Sequence, residues 1–138
     1  MSLHLLKLSV GSESVETMAR WQAGRLARTR ALFHETRNFP RRAGEILDGG
    51  SIYWIIKGHV RVRQRIIGLE RREDEERGRV CRIMLDPNLI PTEIQPRRPH
   101  QGWRYLEADD APPDARHATS ADDPAPEMIA ELRELGLL

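Results

Sequence analysis

Residues 48–67, Asp48-Gly-Gly-Ser-Ile-Tyr-Trp-Ile-Ile-Lys-Gly-His-Val-Arg-Val-Arg-Gln-Arg-Ile-Ile67, constrain the fold more than any other stretch. Asp48-Gly49-Gly50 has the chemistry of a helix stop or a turn. Ser51–Lys57 then alternates as a strand, with Ile52, Trp54 and Ile56 on one face and Tyr53 and Ile55 on the other. A strand that is apolar on both faces has to be covered on both sides. Gly58 breaks it, and Val60–Glu70 reads as the next strand. There Val60, Val62 and Ile66 share a face with Gln64, while Arg61, Arg63 and Arg65 share the other. Ile67 and Leu69 then fall on the arginine face, so either Gly68 marks a bulge or that face is half buried.

Upstream, Leu3–Val10 is apolar enough for a strand. Ser12 or Ser14 supplies a helix cap, with Glu13 and Glu16 favouring the N-terminal end of the dipole. Val15, Met18, Ala19, Leu26 and Phe33 follow helical spacing, interrupted by Gln22, which predicts a helix over 13–32. His34–Phe39 reads as a short strand, and Pro40 opens a short helix that runs to Leu47. Downstream, Arg71–Gly78 is a charged hairpin tip and Arg79–Leu85 the returning strand. Asp86-Pro87-Asn88 is a turn, Leu89–Ile94 an edge strand and Trp103–Leu106 a last short strand. The expected fold is α+β: a small mixed or barrel-like sheet of about five or six strands, with a long N-terminal helix and a short C-terminal one.

At 138 residues the chain fits one domain. Residues 1–106 form it, 107–126 read as an acidic Pro/Ala-rich loop or linker, and 127–138 as a C-terminal helix and tail. The net charge of +1 conceals a division. Residues 1–106 hold 20 Lys and Arg against 12 Asp and Glu, a balance of +8; residues 107–138 hold 2 against 9, a balance of −7. A basic body with an acidic tail fits a polyanion partner or an internal electrostatic match. All but Lys7 and Lys57 of the basic residues are arginines, which bind phosphate bidentately and stack on bases; a GC-rich coding bias produces the same excess.

The lone Cys81 excludes an internal disulfide and reads as a small core residue, with a reactive thiol as the alternative. The N-terminus lacks the features of a secretory signal and no apolar run is long enough for a membrane span, so a cytoplasmic protein is expected. The histidines at 4, 34, 59, 100 and 117 are scattered, and neither a metal nor a cofactor is expected. No nucleophile elbow, phosphate-cradling loop or dinucleotide fingerprint occurs.

The constellation left to weigh is basic and aromatic. Arg61, Arg63 and Arg65 form a stripe that would meet phosphate. Trp103 and Tyr105 flank Arg104 and would offer a stacking platform, supported by Arg97 and Arg98. The alternative is that both aromatics are core residues with the arginines as a solvated rim. Three functions follow. The first is a non-enzymatic nucleic acid-binding module, RNA before DNA. The second is a protein-interaction or scaffold role in which the acidic C-terminal segment docks on a protein partner or covers this chain's own basic surface. The third is an enzyme or small-ligand receptor, which needs a pocket at Trp54, Lys57 and His59.

The runs Gly49–Gly58, Arg63–Ile67, Leu85-Asp86-Pro87 and Pro96–Leu106, with the start Leu3–Leu8 and the end Glu131–Gly136, resemble a family of short alphaproteobacterial proteins catalogued as domain of unknown function 1489. The resemblance covers nearly the whole chain. It implies an uncharacterised cytoplasmic bacterial protein and carries no catalytic residues. The order of elements is also similar to that of PUA-type domains, small β pseudo-barrels found on RNA-modifying enzymes and RNA readers.

Overall fold

The computed structural model describes residues 2–115. Seven strands form one open mixed sheet: β1 (His4–Leu8), β2 (Phe33–Thr36), β3 (Ser51–Ile56), β4 (His59–Asp74), β5 (Gly78–Leu85), β6 (Ile90–Pro96) and β7 (Trp103–Leu106). The sheet runs β2-β5-β4-β3-β1-β7, and β6 also pairs with β4. Two helices, α1 (Val15–Thr29) and α2 (Ala43–Leu47), complete the α+β domain. The sheet thus has more strands than the five or six expected. It is not a closed barrel: β2 and β7, at its two ends, do not pair with each other.

Strand β4 is the hub. Its first half is antiparallel to β3 on one side and to β6 on the other, and its second half pairs with β5. The two-residue turn Lys57-Gly58 joins β3 to β4, with φ of 50° and 80°, the left-handed pair that suits the twist of a hairpin. Because β1 is parallel to β3, the chain between them must cross over a face of the sheet, and α1, β2 and α2 make that crossing.

Helix α1 begins where Ser14 caps it, its side chain accepting from the Thr17 N–H. It stops at Arg30, whose left-handed φ of 60° lets its N–H bond the Leu26 carbonyl. At 15 residues it is shorter than the 13–32 span expected, because a residue other than glycine takes the C-terminal left-handed position and leaves no signal. The short helix expected from Pro40 starts at Ala43 instead.

Both faces of β3 are covered. Ile52, Trp54 and Ile56 join Leu5, Met18, Ile66 and Ile83 in the main core, while Tyr53 and Ile55 pack with Leu6, Val60 and Leu106 in a smaller one. The smaller core is sealed by residues 107–115, the first part of the stretch expected as a linker. Ala111 packs against it, and Glu93 N–H and Ala115 N–H bond the carbonyls of Pro113 and Pro91. The helix expected at 127–135 lies outside the described residues.

Gly50, where α2 hands over to β3, cannot be another residue: a Cβ there would collide with the backbone carbonyls of Leu3 and Ile46. A buried polar knot locks α1 to the sheet. Gln22 and Gln64 exchange amide bonds of 2.9 and 2.8 Å; Trp54 Nε1 donates to Gln64 Oε1 at 2.9 Å, and Gln64 Nε2 donates to the Asp86 carbonyl at 3.1 Å. Gln22, which seemed to interrupt the helical stripe, is therefore part of its buried face. Cys81 lies in the core, where burial pushes its thiol up to about 11. No helix among the described residues is long and apolar enough to cross a membrane.

Candidate nucleic acid interface

The arginines of β4 do not form one exposed stripe. Register shifts at 60–62 against β6 and at 54–55 against β3 break the simple alternation. Arg61 is left 5% exposed. Arg63 is half-buried and grips Asp114 with two bonds of 2.8 and 3.0 Å, while its Nη1 donates to Ser51 Oγ at 2.9 Å. That grip holds the Asp114 carboxyl below its usual range. Arg65 is exposed, beside Ile67. Of the three, one is buried, one is occupied by a carboxylate and one faces solvent. The alternation of side chains alone does not foresee this, because it depends on where the partner strands shift register.

Trp103 and Tyr105 do share a face of β7, with rings 4.9 Å apart, edge to face. They are half-buried and pack against the main core. Trp103 Nε1 donates to the Asn38 carbonyl at 2.9 Å, and the Tyr105 hydroxyl accepts from the Arg42 N–H at 3.2 Å. Arg104 is exposed between them. Arg97 and Arg98 lie apart from this group on the bend after β6, where Arg97 donates to the Gln95 side chain and Arg98 is exposed.

The second half of the β4–β5 hairpin assembles a different basic surface. One face of the hairpin carries the pairs Leu69–Ile83, Arg71–Cys81 and Glu73–Arg79 in succession. The core thus runs out along this face into charge. Strand β2 ends at Thr36, opposite Cys81, and the chain turns aside there. Phe39 fills the seam, with the Arg71 guanidinium 3.9 Å over its ring. The result is a groove of 510 Å³ bordered by Arg37, Phe39, Arg71, Arg72 and Arg79, with Glu73 as its acidic member. Arg72 bonds Glu70 at 3.1 Å; Arg37, Arg71 and Arg79 have no carboxylate within ion-pair distance among the described residues. Asn38, which also lines the groove, accepts the Trp103 indole N–H through its carbonyl.

The sequence pattern concealed this groove because Arg71–Gly78 reads as a hairpin tip. In the structure the tip is only Glu75–Arg77, tied by Asp74, whose carboxylate accepts from the N–H groups of Glu76 and Arg77. That Asp side-chain turn four residues before Gly78 was the available signal.

Three other arginines are paired internally: Arg42 with Glu45 and Glu107, Arg77 with Glu35 and Asp74, and Arg82 with Glu35. Trp54, Lys57 and His59 do not converge. Trp54 is buried on the α1 side; Lys57 is exposed in its turn, and His59 Nδ1 lies 3.1 Å from the Lys57 carbonyl. A cavity does meet Trp54, but neither Lys57 nor His59 lines it. Among the described residues no group of three or more His, Cys, Asp or Glu is arranged to hold a metal ion.

The fold and this surface define a small α+β domain with a basic hairpin bordered by Phe39. The chain belongs to the family described as Protein of unknown function (DUF1489), whose model matches residues 5–138. No curated protein and no solved structure matches it.

Proposed function

We propose that the chain binds nucleic acid, RNA before DNA, through the groove on the β4–β5 hairpin. The observation that carries this reading is the set of three cations, Arg37, Arg71 and Arg79, without carboxylate partners among the described residues, gathered around Phe39. Guanidinium groups meet phosphate oxygens bidentately, and a guanidinium stacked on an aromatic ring gives an unpaired base a flat platform. Trp103, Arg104 and Tyr105 extend the surface along β7. Arg65, Arg97 and Arg98 lie beyond the groove and contribute to the long-range field that draws a polyanion in.

The test is binding of a labelled mixed-sequence RNA, with matched DNA, across a salt series. Three phosphate contacts give a log–log slope of about −2, at about −0.7 per contact for single strands. The variant R37A/R71A/R79A should flatten that slope, whereas R65A/R97A/R98A should lower affinity while leaving most of it. Absence of binding at low salt would end this reading.

A second reading has its own support: the acidic segment covers part of the basic body. Glu107 bonds Arg42 at 3.0 Å and Asp114 bonds Arg63. Removing residues 116–138 leaves Glu107 and Asp114 in place and should raise RNA affinity if the removed acids screen the groove. Loss of a protein partner in the same truncation would instead assign the segment to docking.

A further inference from the structure

The groove on the β4–β5 hairpin holds one side chain that a site for phosphate alone does not need. Glu73 lines it together with Arg37, Phe39, Arg71 and Arg79. A carboxylate among guanidinium groups weakens their pull on any polyanion. Of the three acids on β4, the other two are engaged, Glu70 by Arg72 and Asp74 by Arg77. Glu73 is not. It stands directly across the ladder from Arg79, yet its side chain makes no hydrogen bond or ion pair among the described residues. It is exposed, on the wall of the groove.

Its place relative to the stack gives it a use. Arg71 lies two residues earlier on the same face of β4, about 7 Å along the strand. The Arg71 guanidinium covers the Phe39 ring at 3.9 Å. A base laid on that flat cation spans the step between the two side chains and turns an edge toward Glu73. A carboxylate only accepts hydrogen bonds, at two oxygens side by side. Of the four RNA bases, guanine alone offers two neighbouring donors on its Watson–Crick edge, N1–H and the N2 amino group. Adenine, cytosine and uracil each set an acceptor beside their donor, which a carboxylate repels.

We propose that the groove selects an unpaired guanine of single-stranded RNA. Glu73 accepts from N1–H and the N2 amino group, Arg71 supplies the stacking surface, and Arg37 and Arg79 hold the adjoining phosphate. The inference rests on the reading of the groove as an RNA site and adds its base preference. A volume of 510 Å³ suits one nucleotide rather than a run, since pockets of about 300–1,000 Å³ each enclose a single small molecule.

The probes are labelled oligouridines of about twelve nucleotides, with guanine, adenine, cytosine or uracil at the centre, bound to the full chain at low salt and followed by fluorescence anisotropy. The guanine oligomer should bind at least about five-fold more tightly than the other three, the discrimination of one bidentate pair. Glu73→Gln keeps the shape and removes the charge. It should weaken guanine binding about five-fold and tighten the other three about two-fold, because a repelling charge has gone. Glu73→Ala should give the same reversal. Oligomers that bind alike in the native chain, or a Glu73→Gln change that tightens all of them alike, would leave RNA binding standing and overturn guanine selection. Failure of every oligomer to bind would overturn the RNA reading itself. Unlabelled GMP lacks the flanking phosphates, so it should need about ten-fold higher concentration than the guanine oligomer to displace it. GMP as effective as the oligomer would assign the groove to a free nucleotide and overturn its placement in RNA.

Discussion

The two halves of β4 place polar side chains in opposite situations. In the first half Gln64 is fully buried, and its amide bonds Gln22, Trp54 and the Asp86 carbonyl at once. In the second half Arg71 and its neighbours on β5 stand at the edge of the core with much of their bonding capacity unused by the protein. The same strand thus changes from a place where a buried amide is fully committed to one where cations remain available. A committed interior network specifies how the helix sits on the sheet; an uncommitted rim is free to meet a partner. Mutations should therefore separate stability from binding according to which half they touch.

The largest effect belongs to the interior. Gln64→Leu strands both the Gln22 amide and the Trp54 indole, each costing about 1–3 kcal/mol, so the variant should lose about 3–5 kcal/mol of unfolding free energy by denaturant titration. Gln22→Leu/Gln64→Leu should lose less than the sum of the two single changes. Strict additivity would show that the knot does not act as a unit.

Next comes His34. Its native pKa of about 4 lies below the unfolded value of 6.5. The unfolded chain therefore takes up a proton first as the pH falls. The stabilisation is complete above about pH 6.5 and is lost as pH drops toward 4, by about 3 kcal/mol at most. Burial is the main cause of the lowering; the positive charges of Lys7 and Arg25 add to it and Glu35 opposes it. Unfolding measured at pH 7 and pH 4.5 should show this loss in the native chain and less of it in His34→Leu. An imidazole titrating near 6.5 in the folded protein would remove the effect.

Asp114→Ala is smaller. The pair with Arg63 is partly exposed and screened, so its loss should cost no more than about 1 kcal/mol. The local consequence is sharper than the global one: hydrogen exchange at the Glu93 and Ala115 amides should quicken, because the Asp114 carboxylate anchors to Arg63 the segment whose backbone pairs with β6.

Smallest for stability, and largest for function, are the hairpin arginines. Arg71→Ala and Arg79→Ala should each change unfolding free energy by no more than about 0.5 kcal/mol. Both should weaken RNA binding and reduce its salt dependence. A variant that lost both stability and binding together would blur the contrast between the two halves of β4.

Most of the strands can be read from the sequence. The buried run Ser51–Ile56 is unmistakable because it is apolar on both faces, and the strands at β1, β5 and β7 follow from short alternating stretches. The helix stripe is visible too, though Gln22 looks like an interruption until Gln64, 42 residues away, turns out to face it. What periodicity cannot supply is register. The shifts beside Val60–Val62 bury Arg61, and the length of β4 past Glu70 turns an expected loop into a charged strand pair.

The sequence by itself determined the α+β class, the doubly covered strand β3 and the division between a basic body and an acidic end. These depend on local pattern and composition, which need no partner to be defined. The tertiary structure alone decided which arginines are buried, which are answered by Glu or Asp, and which remain around Phe39. It also decided that His34 sits edge-on against Trp54. Such pairings join residues far apart in the chain, and they follow from strand order, register and bulges rather than from the residues at any one position.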